Sequence, residues 1–143
     1  MKKLENKAII ITGAAMGLGL AAAKELAAQG ASLTLVDYNE KSLAEAKDVI
    51  SKQFPDVKII TVVADVSNEE AVKNYVNKTV EAFGRIDGLY NNAGIEGKQA
   101  SMTEYDLNVF RKVMFFDINV IDSLFQQFCL SRCHIFFLMR HAP

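Results

Sequence analysis

The sequence contains no long hydrophobic run, no cluster of basic residues and only two cysteines in 143 residues. The first apolar run, Ala8–Ile11, is too short for a signal-peptide core, and the later run at 134–139 is far shorter than a bilayer span. A formal net charge of −1 offers nucleic acid no strong long-range attraction. We therefore expect a cytoplasmic protein that binds neither nucleic acid nor a membrane.

The two cysteines do not form a recognisable metal-binding pattern. Cys129 and Cys133 lie four positions apart, close to His134 and His141, but the spacing lacks the second ligand pair that is usual for zinc. We therefore predict neither a metal site nor a disulfide. Because half of the residues are apolar, a chain of this length can bury one core.

Apolar, β-branched runs alternate with segments in which apolar residues recur at helical spacing. The first helical segment stops at Gly30, Pro55 prevents the second from continuing, and the third ends near Gly84. Such alternation predicts an α/β fold with a Rossmann-like, doubly wound parallel sheet, incomplete at about four to five strands with flanking helices. The predicted strands are Ala8–Thr12, Leu33–Asp37, Lys58–Ala64 and Leu89–Asn91.

The helical segments carry signals for their buried faces and their first residues. Asn39 or Ser42 can cap the second helix, and Ser67 followed by Glu70 is typical of a capping box for the third. The second helical segment runs through Leu43, Ala46, Val49 and Ile50, and the third carries Val72, Tyr75, Val76 and Val80.

A glycine-rich turn directly follows the first strand. Residues 12–19 read Thr-Gly-Ala-Ala-Met-Gly-Leu-Gly and lead into an alanine-rich helix. Glycine lets the strand turn sharply and lets backbone N–H groups approach phosphate oxygens at a helix N-terminus. We predict a pyrophosphate site here. The alternative is an ordinary loop or a helix C-cap, which has a similar glycine-rich sequence.

Asp37 closes the second strand, 18 positions after Gly19. Its carboxylate can accept hydrogen bonds from both ribose hydroxyls of a dinucleotide, whereas a 2′-phosphate there would place two anions together. No Arg or Lys lies at positions 13–19 or 38–39, so we expect NAD rather than NADP. The alternative is that Asp37 only opens a turn with Asn39.

Two other strands also end in small or polar residues. Asp65 closes the third strand, and Asn91-Asn92-Ala93-Gly94 closes the fourth. Because ligands of open α/β sheets bind beyond the carboxyl ends of the strands, we expect these groups to share one edge with Asp37.

Taken together, the motif at 12–19, Asp65-Val66, the Asn-Asn-Ala-Gly run and Gly84-Arg85-Ile86-Asp87 resemble the short-chain dehydrogenase/reductase family over residues 4 to about 114. The resemblance implies that the backbone at Met16 and Leu18 contacts the pyrophosphate and that Asp37 binds the adenosine ribose. It also implies that Asp65 meets the adenine amino group beside Val66, above a floor formed by residues 92–94. The predicted cofactor-binding residues are Gly13, Ala15, Met16, Gly17, Leu18, Gly19, Asp37, Asp65, Val66, Asn92, Ala93 and Gly94.

The same resemblance implies hydride transfer between NAD and a small-molecule secondary alcohol or ketone. In this family that chemistry uses a Ser that hydrogen-bonds the substrate oxygen, a Tyr that donates or takes its proton, and a Lys four residues after the Tyr. The Lys is needed because a cation must stabilise the phenolate near neutral pH. This sequence has no Tyr-x-x-x-Lys. Two hypotheses therefore stand: the cofactor-binding part of an NAD-dependent oxidoreductase, or a non-catalytic NAD-binding fragment.

Asn119 is the one catalytic candidate. The family usually places an Asn seven positions after a Phe, whereas Asn119 follows Phe110 by nine. Two extra helical residues turn the side chain by about 200°, which would aim it away from the cofactor unless a bulge restores its direction. The alternative is a surface residue.

Composition changes after Ile121. We divide the chain into an NAD-binding domain at 1–121 and an atypical apolar tail at 122–143, which contains no glycine. The tail is either a product of a frameshift or early stop, with the family fold truncated, or a replacement fifth strand at Ile135–Met139. With the sheet shortened, we expect self-association through an exposed edge at the fourth strand and through the Phe-rich helix that follows it.

Overall fold

A five-stranded parallel sheet forms the centre of the protein, in the order β3-β2-β1-β4-β5. The computed structural model describes residues 2–95, 101, 106–114 and 136–139. The strands are β1 (Ala8–Thr12), β2 (Ser32–Asp37), β3 (Ile59–Val63), β4 (Gly88–Asn91) and β5 (Phe136–Met139). The helices between them are α1 (Gly17–Ala28), α2 (Glu40–Gln53) and α3 (Glu69–Phe83), and residues 107–114 form a further helical segment. The predicted fold class is confirmed.

Residues of β1 alternate between two cores, one on each face of the sheet. Ile10 packs with α3 residues such as Val72 and Val76, and Ile11 packs with α1 and α2 residues such as Ala23 and Leu43. The buried residues of α1 are all small (Gly19, Ala23 and Ala27), so this helix lies close to the sheet. Strands are added on both sides of β1, and right-handed crossovers in the two directions place helices on both faces of the sheet.

Two of the apolar residues named in the helical segments lie outside the core. Val49 in α2 and Val80 in α3 are 45% and 40% exposed. Thr79 is buried instead of Val80, since it lies on the same helix face as Tyr75, and its hydroxyl bonds to the Thr34 hydroxyl at 2.9 Å and to the Tyr75 carbonyl at 2.7 Å. A polar residue at a helical core position is acceptable when its hydroxyl is satisfied.

The predicted caps are right for one helix and wrong for the other. Asn39 caps α2 by accepting a hydrogen bond from the Ser42 amide at 3.0 Å. The cap of α3 is Asn68 rather than Ser67, because the Ser67 hydroxyl donates to Asp65 Oδ1 at 2.7 Å. A side chain engaged with the preceding strand end is not available to the first turn of the helix.

The expectation that β4 is an uncovered edge is corrected by the structure. β5 pairs with β4 in parallel, from Gly88 opposite Phe136 to Asn91 opposite Met139. This strand lies within the segment at which we considered a replacement strand, so the outer edge on this side belongs to β5. The domain boundary at 121, the frameshift and self-association stay predictions. Phe115 and Phe116 of the Phe-rich helix lie outside the described residues.

Tyr75 brings an unsatisfied hydroxyl into the core on the α3 face. Its side chain is fully buried, its hydroxyl has no hydrogen-bond partner among the residues that the structure describes, and burial raises the pKa of the phenol. Because an unpaired buried hydroxyl is costly, we expect Tyr75→Phe to raise the free energy of unfolding by about 1 kcal/mol in urea denaturation.

The control for that substitution is Tyr38→Phe, since Tyr38 is 80% exposed. Removing a solvated hydroxyl should change stability by less than about 0.5 kcal/mol. A loss of stability in Tyr75→Phe that the control does not share would show that the Tyr75 hydroxyl is bonded after all.

Candidate functional site

A cavity of about 690 Å³ opens at the carboxyl ends of β1, β2, β3 and β4. Its volume lies in the range that small-molecule sites occupy. The residues that line it are Gly13, Met16, Gly17, Leu18, Asp37, Tyr38, Asn39, Ala64, Asp65, Val66, Ser67, Asn92, Ala93, Gly94, Ile95 and Lys112. The structure therefore brings three separate sequence motifs, the glycine turn, Asp65-Val66 and the Asn-Asn-Ala-Gly run, to one cleft.

Ala15 and Gly19 are the two predicted cofactor residues that do not line this cavity. Ala15 is 6% exposed, and its amide donates to Asp37 Oδ2 at 3.0 Å. Gly19 is buried in α1, directly against the backbone of Gly13. Both residues support the conformation of the turn without lining the cavity. A sequence motif alone cannot distinguish this role from contact with a ligand.

The turn after β1 packs tightly on the loop after β4. Gly13 has a φ of +63°, and a Cβ there would lie 3.0 Å from both Ala93 Cα and Asn92 Nδ2. Glycine is therefore required at this position for backbone conformation and for space. Gly17 shares the positive φ, at +56°, but a Cβ there would meet no atom within 4 Å, as is expected of a residue that faces an open cleft.

The first turn of α1 has no side-chain cap. Its N-cap, Met16, makes no side-chain hydrogen bond, and no acidic residue lies in the first turn, whereas Asn39 and Asn68 cap α2 and α3. The amides at the start of a helix carry a partial positive charge and need acceptors. Since Met16, Gly17 and Leu18 line the cavity, this end of α1 is suited to an anionic group.

Asp37 is held in place by backbone amides and still reaches the cavity. It is 8% exposed, and its two carboxylate oxygens accept from Ala15 N at 3.0 Å and from Asn39 N at 3.1 Å. Asp37 therefore both opens a turn with Asn39 and lines the cleft. Each carboxylate oxygen can accept more than one hydrogen bond, so capacity for ligand hydroxyls is retained.

Thr12 ties the ends of β1 and β4 together. Its hydroxyl accepts from the amides of Asn92 and Ala93, both at 3.1 Å, and donates to Asn91 Oδ1 at 3.1 Å. The Asn92 amide group donates to the carbonyls of Thr12 and Gly13 at 3.3 and 3.2 Å. The Asn-Asn-Ala-Gly run therefore fixes the glycine turn in addition to lining the cavity.

Asp65 follows β3, the strand at the edge of the sheet away from β4 and β5. Hydrogen bonds from the side chain and then the backbone amide of Ser67 lower its pKa, against a smaller opposing effect of burial. The carboxyl group is therefore ionised at neutral pH and can accept hydrogen bonds from amino groups.

Six lining residues were missed from the sequence: Tyr38, Asn39, Ala64, Ser67, Ile95 and Lys112. The first five lie within two positions of predicted site residues, so extending each strand end by a residue or two would have found them. Lys112 comes from the helical segment at 107–114, and no local signal marks it.

Several predictions fall outside the described residues. Asn119 is one, and Cys129, Cys133, His134 and His141 are others. Within the described ranges, no group of three or more His, Cys, Asp or Glu side chains is placed to hold a metal ion. Every helix described is too short or too polar to cross a bilayer.

The sequence is similar to a known protein family and to characterised proteins. The family model for short chain dehydrogenases matches residues 7–128. Levodione reductase of Leifsonia aquatica is 46% identical over 112 residues, which are 78% of this chain and 42% of that protein. Meso-2,3-butanediol dehydrogenase of Serratia marcescens is 36% identical over 117 residues, 82% of this chain and 45% of that protein.

The fold is also that of solved structures. The crystal structure of an NAD⁺-bound xylitol dehydrogenase superposes with a TM-score of 0.81 at 33% identity, covering 91% of this chain and 51% of that one. The chain thus spans about half the length of the curated relatives and solved chains that it matches.

Proposed function

This chain belongs to the short chain dehydrogenase family, and from that premise we propose that it binds NAD in the cleft at the carboxyl ends of β1 to β4. The observation that carries the proposal is the convergence of the uncapped α1 N-terminus, the Asp37 carboxylate and the Asn92–Gly94 backbone on one cavity. In this proposal the α1 amides hold the diphosphate, Asp37 binds the adenosine ribose and Asp65 binds the adenine amino group. When bound, NAD supplies a hydride acceptor.

We propose NAD rather than NADP on electrostatic grounds. The buried Asp37 carboxylate is fixed by two amides and cannot swing away from a 2′-phosphate. The xylitol dehydrogenase of similar fold was crystallised with NAD⁺ bound, which supports the same choice.

For the reaction, we propose oxidoreduction between a secondary alcohol and a ketone, with this chain supplying the cofactor-binding part. The names of the relatives, a levodione reductase and a butanediol dehydrogenase, support carbonyl and alcohol substrates. A second candidate is a non-catalytic NAD-binding fragment. The observation that favours it is that none of the four tyrosines is followed four positions later by a lysine.

Calorimetric titration tests NAD binding, which both candidates require, and a turnover assay tests whether the chain is non-catalytic. We expect the 143-residue chain to bind NAD at least tenfold more tightly than NADP, because the Asp37 charge opposes the 2′-phosphate. We expect no NADH formation with a panel of secondary alcohols, since a proton acceptor of the Tyr-Lys type is missing. The absence of heat on adding NAD to a folded sample contradicts the binding proposal, and NADH formation contradicts the fragment hypothesis.

A further inference from the structure

Lys112 enters the cavity from an element that contributes no other lining residue. The remaining lining residues belong to the ends of β1 to β4 and the segments that directly follow them, whereas Lys112 lies in the helical segment at 107–114. Its side chain is exposed, and it makes no ion pair with any residue in the described part of the chain. Its ammonium group can therefore turn toward a ligand.

The balance of charges on the cavity wall indicates that the Lys112 ammonium group binds an anionic part of the ligand. Of the lining residues, Asp37 and Asp65 are negatively charged and Lys112 is positively charged. A dinucleotide brings its diphosphate into a wall with more carboxylates than cations, so the α1 amides alone would have to offset the repulsion. A lysine head has three N–H donors and no acceptor, which matches phosphate oxygens.

We propose that Lys112 binds the diphosphate of the nucleotide. This inference rests on the proposed NAD site and adds to it a residue that determines affinity. The diphosphate would then be held by the backbone amides of the glycine turn and by the ammonium group of Lys112.

The test compares Lys112→Gln with Arg111→Gln, measured by calorimetry with adenosine, ADP, adenosine 2′,5′-bisphosphate and NAD. Arg111 is exposed on the same helical segment and does not line the cavity, so its removal matches the change in net charge. We expect Lys112→Gln to weaken the binding of ADP and NAD about three- to fivefold, the upper part of the range for one exposed charge pair, and to leave adenosine binding unchanged. Arg111→Gln should change all four by less than about twofold.

Two further measurements support the assignment. Lys112→Arg should restore most of the ADP affinity because it returns the charge, and the salt dependence of ADP binding should be weaker in Lys112→Gln than in the parent. Equal melting temperatures of the variants establish that the fold is unchanged.

The outcomes are distinguishable from failure of the NAD proposal. If the parent chain binds ADP and NAD but Lys112→Gln binds them equally well, only the Lys112 inference is overturned. A loss restricted to the 2′,5′-bisphosphate also overturns it, since Lys112 would then contact the 2′-phosphate. If the folded parent binds none of the adenine nucleotides, both proposals fall.

Discussion

Replacing Gly19 with alanine should lower the free energy of unfolding by about 2–3 kcal/mol and abolish measurable NAD binding. A Cβ at Gly19 would lie 2.0 Å from the Gly13 carbonyl oxygen and 2.8 Å from Asn92 Nδ2. Because the clashing atom belongs to the backbone, the clash is relieved only if α1 moves away from the end of β1. Overpacking costs about 1–3 kcal/mol or more, and the better helix propensity of alanine returns at most about 1 kcal/mol, so the clash dominates.

Loss of binding follows from the same displacement. In the proposal the diphosphate is held by the amides of Met16, the N-cap of α1, and of Gly17 and Leu18 in its first turn, and these residues line the cavity. A shift of the helix of about 1 Å moves all of these donors out of hydrogen-bond range together.

Urea denaturation and NAD calorimetry measure the two effects, with Gly88→Ala as the matched control. A Cβ at Gly88 would lie 3.6 Å from Ile9 Cγ1, an ordinary van der Waals contact outside the cavity. We expect that control to stay within about 0.5 kcal/mol of the parent. Parent-like stability in Gly19→Ala would show that the turn and α1 are not packed as described.

The sequence predicted the sheet well because the strands are short, apolar and separated by strong stop signals. Gly30, Pro55 and Gly84 each lie just beyond the helix that they were expected to end, and the residues of β1 were predicted without error. The common edge of the strand-end residues followed from topology alone, since parallel strands align their carboxyl ends.

Features that depend on distant contacts were not predictable in this way. The cap of α3 depends on Asp65 engaging Ser67, and the burial of Thr79 depends on Thr34 on a strand 45 positions earlier. Lys112 reaches the cavity through tertiary placement, 75 positions after Asp37. Hydrophobic periodicity carries no information about such pairs, because each partner alone is compatible with several local structures.

Asp37→Ala should raise the Kd for NAD about 10- to 100-fold and reduce the preference for NAD over NADP, because hydrogen bonds to a charged group contribute about 1.5–3 kcal/mol. It should also lower the free energy of unfolding by about 1–3 kcal/mol, since the buried Ala15 amide loses its acceptor at Asp37 Oδ2. Asp56→Ala is the control, because it removes the same charge from an exposed position outside the cavity.

Asp37→Asn separates the role of charge from the role of shape. The amide oxygen can still accept from one of the two backbone amides, so stability should fall less than in Asp37→Ala, while the repulsion of a 2′-phosphate disappears. Calorimetry with NAD and NADP should therefore give Asp37→Asn a smaller ratio of affinities than the parent. If that ratio is unchanged while NAD binds more weakly, the discrimination is steric, and the carboxylate charge is not what excludes the phosphorylated ribose.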